Sequence, residues 1–193
     1  MRNIARNSLL ILILILVPRL ALATPVETIE TYHDRLLQTI EANHDTSDQA
    51  RFDSLSPAMD AAFDFESMIK TISGGYWRKA SPEARDALLS AFRRVSIATY
   101  ADQFGGISGG SFDVKGTRDG PRGLKLVDTV LKTNNDSVIM TYVVRDKAGA
   151  WRIIDVLLKG GISELAVRAS EYSNILKSGG VDALTTTLNE QAA

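Results

Sequence analysis

The chain has no cysteine, only two histidines and five prolines, and no excess of positive charge. Lacking cysteine, it can form neither a disulfide framework nor a thiolate metal site. With 22 basic against 23 acidic side chains, it lacks the basic charge that marks most nucleic-acid binders. It contains no His-Glu-x-x-His pair and no dinucleotide-binding glycine fingerprint, so neither a zinc protease nor a nicotinamide enzyme is indicated. The glycine-rich run Gly105 to Gly110 has no strand before it and no Lys-Ser/Thr after it, which excludes a P-loop and leaves a connecting segment. Apolar runs are short as well. Leu9 to Val17 is unbroken, but Pro18-Arg19 ends it well below the ~20 residues a spanning helix needs.

That run has another role. Arg2 and Arg6 form a positive start, Leu9 to Val17 the apolar middle, and Ala21-Leu22-Ala23 a small-residue end. Together they predict a signal peptide over 1–23, cleaved between Ala23 and Thr24. Cleavage removes Arg2, Arg6 and Arg19 and no acid, which takes the 22 basic residues to 19 against 23 acidic ones and the net charge to −4. The remaining 24–193 are expected to form one exported domain, located in the periplasm of a double-membraned bacterium. A helical half over 24–104 precedes a strand-rich half with C-terminal helices over 105–193.

Thr24-Pro25 opens the first helix, with Thr as cap and Pro at the first position. Val26, Ile29, His33, Leu37 and Ile40 lie on one stripe of it. His33 is read as a structural histidine at the edge of the core, and His44 as loop-borne. A weaker helical segment reaches Leu55. Asp64 is placed to cap a short helix carrying Phe65, Met68, Ile69 and Ile72, which Gly74-Gly75 stops. Tyr76-Trp77 then delivers two rings, followed by Arg78-Lys79; this cluster suits either a packed corner or a ligand contact. Ser81-Pro82-Glu83 starts the longest helix, Pro82 to Phe104, which has two apolar stripes: Ala84, Leu88, Phe92, Val95, and Leu89, Ile97, Tyr100, Phe104.

Four strands are expected in the second half. Phe112 to Gly116 and Gly123 to Lys132 lead to Ser137 to Arg145 and Trp151 to Leu158, the last two joined through a Gly-containing break at Asp146 to Gly149. Strict alternation places Met140 and Tyr142 on one face of the hairpin, and Ile154, Val156 and Leu158 on one face of its second strand. Both faces of the hairpin are apolar, so two covers are expected. A helix with Leu165, Ala169, Tyr172 and Leu176 follows, ended by Gly179-Gly180 before a short terminal helix. Helices, then strands, then helices define an α+β fold, a curved four-stranded antiparallel sheet packed with helices from both ends of the chain.

Among chemical candidates, Asp155 is the one acid inside an apolar strand. As a general base it would make the protein a small-molecule enzyme, with a tyrosine as partner; a structural acid accepting hydrogen bonds at the sheet rim is the preferred reading. Asp64 and Glu66 are better explained as helix-capping acids than as a metal pair.

Several of these segments are similar to a known family. Phe63-Asp-Phe-Glu-Ser-Met-Ile, Gly75-Tyr-Trp-Arg-Lys-Ala-Ser-Pro-Glu-Ala-Arg, Phe92 with Thr99-Tyr100-Ala101, Trp151-Arg-Ile-Ile-Asp-Val, and Tyr172-Ser-Asn-Ile-Leu with Gly180-Val-Asp-Ala-Leu resemble the MlaC-type periplasmic phospholipid-binding proteins, the toluene-tolerance auxiliary family. Gly161-Ile-Ser-Glu-Leu-Ala-Val-Arg and Glu171-Tyr172 look closest to its hopanoid-associated HpnM branch. The resemblance implies a non-enzymatic shuttle that carries a phospholipid or hopanoid between inner and outer membranes. It also implies an inner-membrane ABC-type transport complex and an outer-membrane component as partners, with no cofactor and no metal.

Composition leads to a compatible expectation. Exposing a sixteen-carbon tail to water costs ~12 kcal/mol at ~0.8 kcal/mol per methylene, so a soluble carrier must enclose it. The expected site is an apolar cavity between the long helix and the inner sheet face, near Ile69, Ile72, Tyr76, Trp77, Phe92, Val95, Tyr100, Met140, Tyr142, Ile154, Val156 and Leu165. Flanking helices that simply close on the sheet are the competing outcome.

Overall fold

The computed structural model describes residues 23–42, 46–105, 109–134 and 136–192. Residues 1–22 of the expected signal peptide, 43–45 of the polar break with His44, and 106–108 of the Gly105–Gly110 run lie outside these residues.

Helix α1 spans Pro25–Ala42 and begins as its sequence indicates, with the Thr24 hydroxyl accepting from the Glu27 N–H at 3.2 Å. Helix α2, Asp48–Ala62, is capped by Ser47 and runs past Leu55 despite Pro57, so the weaker segment is longer than expected. Asp64 caps α3, Phe65–Ser73, by accepting from the Ser67 N–H at 3.2 Å. The one-turn α4, Gly75–Lys79, carries Tyr76 and Trp77, and α5, Pro82–Gly105, is the long helix.

The sheet is a meander of five strands, not four: β1 Ser111–Asp119, β2 Lys125–Lys132, β3 Ser137–Lys147, β4 Ala150–Leu158 and β5 Ile162–Ser163, all antiparallel and in that order. The fifth strand is only two residues long. It forms because Lys159, Gly160 and Gly161 all take positive φ and fold the chain back, so that Leu157 and Leu158 pair with Ser163 and Ile162. Nothing so short leaves a periodic signal. The β3–β4 turn uses Ala148 and Gly149 at positive φ, the left-handed pair that a two-residue hairpin requires.

Two expectations about the faces are corrected. Residue Ile154 has no partner in the ladder, because Val143 pairs with Asp155 and Val144 with Ile153. This bulge breaks the alternation, and the buried positions of β4 are Ile153 and Val156, three apart. The outer sheet face goes without a second cover among the described residues. There Thr141 donates to Asp128 at 2.7 Å, and Asp128 and Asp113 pair with Arg118 and Lys132. The apolar hairpin suggested a dry face, but β1 and β2 set charged pairs there beside Leu126 and Val130, and Ile139 is left 57% exposed.

The inner face is covered in layers. Helix α1 lies against β1 and β2, whereas α5 packs chiefly on α2, α3 and α6. The last helical stretch, α6, Glu164–Gln191, is two helices that meet at a kink at Gly180 (φ 66°, ψ −154°), as the Gly179-Gly180 break suggested. Among the described residues no helix is long and apolar enough to cross a membrane.

Candidate functional site

The interior is organised by aromatic rings. Six of them close a circuit through three layers: Tyr32 to His33 (centroids 5.9 Å apart), His33 stacked on Phe112 (3.9 Å), Phe112 to Phe104 (6.4 Å), Phe104 to Tyr100 (5.6 Å), Tyr100 to Phe63 (5.6 Å), and Phe63 back to Tyr32 (5.3 Å). Tyr142 stands against Tyr32 and His33. Edge-to-face and offset contacts at these distances are the favoured aromatic geometries. Helices α1 and α5, strands β1 and β3, and the α2–α3 corner each contribute at least one of these rings. That corner is fixed by the pairing of Phe63 with Ile153 and by the Asp64 N–H donating to the Ile153 carbonyl at 2.9 Å.

Two small apolar voids flank Tyr100. One, about 30 Å³, is lined by Met59, Phe63, Phe65, Met68, Val156 and Leu165, with Glu164 and Arg168 of α6 among its polar neighbours. The other, about 10 Å³, lies among Leu36, Ile40, Leu55 and Phe104. Small-molecule pockets usually measure ~300–1,000 Å³. The expected sleeve is therefore closed in this structure, because the rings fold onto one another and fill the space.

The expected site residues divide into groups. Tyr100, Val156 and Leu165 meet at the larger void, and Met140 and Tyr142 lie buried on the inner sheet face. Ile69, Ile72, Phe92 and Val95 are buried, on helices α3 and α5 that pack on each other and on α6. Ile154 is the bulge residue and half-buried. Trp77 is buried, with Lys70 Nζ and the Arg85 guanidinium over its ring at 5.6 and 6.0 Å, while Tyr76 faces solvent. Trp77 thus packs the corner, away from the rings, and Tyr76 stands outside it. Sequence reasoning missed Met59, Phe63, Phe65 and Met68 as void-lining residues, although the aromatic doublet flanking Asp64 was visible.

Polar groups set the electrostatics. His33 is buried in the core and not at its edge; its Nε2 sits 3.1 Å from the Tyr142 hydroxyl. Burial pushes its pKa down to about 3, so the ring is neutral at ordinary pH. Burial likewise pushes the Tyr32, Tyr100 and Tyr142 hydroxyls up, so all three stay protonated. Burial would raise Asp64 too, but hydrogen bonds from Ser67, Lys147 and Arg145 outweigh it and hold the carboxyl at about 2. Lys147 Nζ and Arg145 Nη2 lie 3.0 and 2.8 Å from its oxygens.

Asp155 is occupied structurally. Its carboxylate accepts from the Leu165 N–H at 3.0 Å, the Ser163 hydroxyl at 2.6 Å and the Val156 N–H at 2.8 Å, which ties the start of α6 to β4. Three of its roughly four acceptor sites thus serve the fold, which gives the enzymatic alternative no support. No group of His, Asp or Glu among the described residues is arranged to hold a metal ion.

These features define an α+β protein whose five-stranded antiparallel sheet and the helices on it enclose an aromatic, apolar interior. Residues 30–190 match the family described as MlaC protein, and the chain belongs to that family. A solved structure with the same fold is a phospholipid-binding protein from Ralstonia solanacearum, in complex with a phospholipid at 1.53 Å resolution; the two share 22% identity, with a TM-score of 0.79 over 88% of this chain and 97% of that one.

Proposed function

We propose that this protein is a periplasmic, non-enzymatic lipid carrier that shuttles a phospholipid or hopanoid-type lipid between the inner and outer membranes. The observation that carries this reading is the ring-lined interior on a fold shared with a protein solved holding a phospholipid. Family membership supports it further. The carrier would take lipid from, or deliver it to, an inner-membrane ABC-type complex and an outer-membrane partner.

Binding on this reading requires the interior to open. The seam at the larger void is the favoured place, since Met59 and Met68 are unbranched and adaptable and lie against Val156 and Leu165. Separating packed rings costs contact energy, and burial of a sixteen-carbon tail at ~0.8 kcal/mol per methylene offsets it. The apolar body would lie among the site residues named above, with the headgroup near Glu164 and Arg168. Asp64, Arg145 and Lys147 hold α3 to the hairpin while this happens.

Native mass spectrometry of protein purified without detergent tests the proposal. A mature chain carrying extractable lipid is expected; a bare mass with no extractable lipid overturns it. Met140→Trp and Val156→Trp should abolish lipid recovery while leaving far-UV circular dichroism intact.

A further inference from the structure

The apolar interior contains hydrogen-bonding groups that the fold leaves unused. Tyr32 is 2% exposed and Thr129 1%, and neither the Tyr32 hydroxyl nor the Thr129 Oγ1 has a hydrogen-bond partner among the described residues. Buried polar groups are nearly always paired, so two orphan hydroxyls on α1 and on the strand β2 it packs against need a reason. Both adjoin the His33–Tyr142 pair. The Tyr32 ring is edge-on to Tyr142 at 6.2 Å, and Thr129 shares the inner sheet face with Tyr142, two residues along from Val127, its cross-strand partner. Tyr32 and Tyr100 both contact the Phe63 ring, and Tyr100 borders both voids.

We propose that this cluster, Tyr32, His33, Thr129 and Tyr142, is a subsite for an uncharged oxygen, a hydroxyl or a carbonyl, carried within the hydrocarbon body of the lipid. It deepens the carrier reading above and rests on it. The chemistry of the cluster selects the ligand group. A phenol and a threonine hydroxyl each donate one hydrogen bond and accept others, which suits a neutral oxygen. Among the described residues, the hydrogen bond and ring contacts of the cluster involve no Lys, Arg or ionised acid, so a phosphate or carboxylate placed there would be buried without compensation. A plain alkyl chain would leave both hydroxyls unsatisfied. The headgroup therefore stays at the mouth, and the subsite reads the body of the lipid.

The test compares stearic acid with its mid-chain hydroxy derivatives in displacing a fluorescent fatty acid from the full mature protein, with a diacyl phospholipid as a third ligand. The hydroxylated chain with the best-placed oxygen should bind the wild type about fivefold more tightly than the plain chain, the effect of one net hydrogen bond. The ratio should fall to about one in Tyr32→Phe, and also in Tyr142→Phe, which stands in if the first variant does not fold. Equal affinity for plain and hydroxylated chains in a wild type that binds the phospholipid overturns the subsite and spares the carrier reading. A preference that survives both substitutions overturns it as well. Binding of none of the three ligands overturns both.

Discussion

His33 Nε2 lies 3.1 Å from the Tyr142 hydroxyl, and the same imidazole stacks on Phe112 with centroids 3.9 Å apart, so one histidine joins α1 to two strands in the interior. Its neutrality has a consequence for acid stability. In the unfolded chain a histidine titrates near 6.5, whereas here burial lowers the value to about 3. Between those values the unfolded state binds more protons, so stability falls as pH drops from 6.5 toward 3, by up to ~1.4 kcal/mol per unit, and is unaffected by this group above 6.5. Urea titrations across that range should show the slope, and His33→Leu should flatten it.

Tyr32→Phe should stabilise the lipid-free protein. The substitution keeps the ring contacts with Phe63 and Tyr142 and deletes a buried hydroxyl that has no partner. Relieving its desolvation is worth ~1 kcal/mol, read as a higher urea midpoint at unchanged slope. A lower midpoint would mean the hydroxyl is satisfied in solution.

Asp64→Ala removes the cap of α3 together with the buried partner of Arg145 and Lys147. Loss of the cap costs ~1 kcal/mol and the ion pairs add to it, since their carboxylate is shielded from water; the total should reach ~2 kcal/mol. Because the Asp64 pKa is depressed from 3.8 to about 2, its stabilisation is present above 3.8 and is lost as pH falls toward 2. In the variant that part of the acid limb should disappear.

Tyr100→Ala should join the two voids that the ring now separates. Equilibrium denaturation should register a loss of ~3 kcal/mol, the usual cost of truncating a large ring in a packed interior. Uptake of a small apolar dye should rise, as the enlarged space has apolar walls. Unchanged dye uptake would show that the surroundings collapse into the gap.

Asp155→Asn should leave lipid recovery intact and lower the melting temperature, because the carboxylate anchors the first turn of α6 and touches no reactive group. Loss of function in a variant that folds and carries lipid normally would revive an enzymatic role.

Much of the architecture was legible from local chemistry. The Thr24-Pro25 start, the Asp64 cap, the Pro82 start, the glycine break near residue 180 and the hairpin turn at Ala148-Gly149 all depend on a few neighbouring residues, and all are present. The family was legible too, because its aromatic, Gly and Asp spacings recur along the chain. What failed depended on partners distant in sequence. Strict alternation put Ile154 among the buried residues, but one unpaired position in β4 exchanged it for Ile153. Among the described residues the outer face goes without a second cover: ion pairs of Asp113 and Asp128 on neighbouring strands share it with its apolar side chains, and Ile139 stays exposed.

The sequence alone determined which residues are oily, where helices start and stop, and that the fold is α+β, since these follow from periodicity, caps and short-range spacing; the family came separately, from the resemblance of whole motifs. Only the tertiary structure decided that Tyr32, His33, Phe63, Tyr100, Phe104 and Phe112 close into one circuit and reduce the expected cavity to voids of about 30 and 10 Å³. Ring meets ring across separations of up to about 110 residues, and such contacts leave no mark on local pattern; they exist once helices and strands have packed.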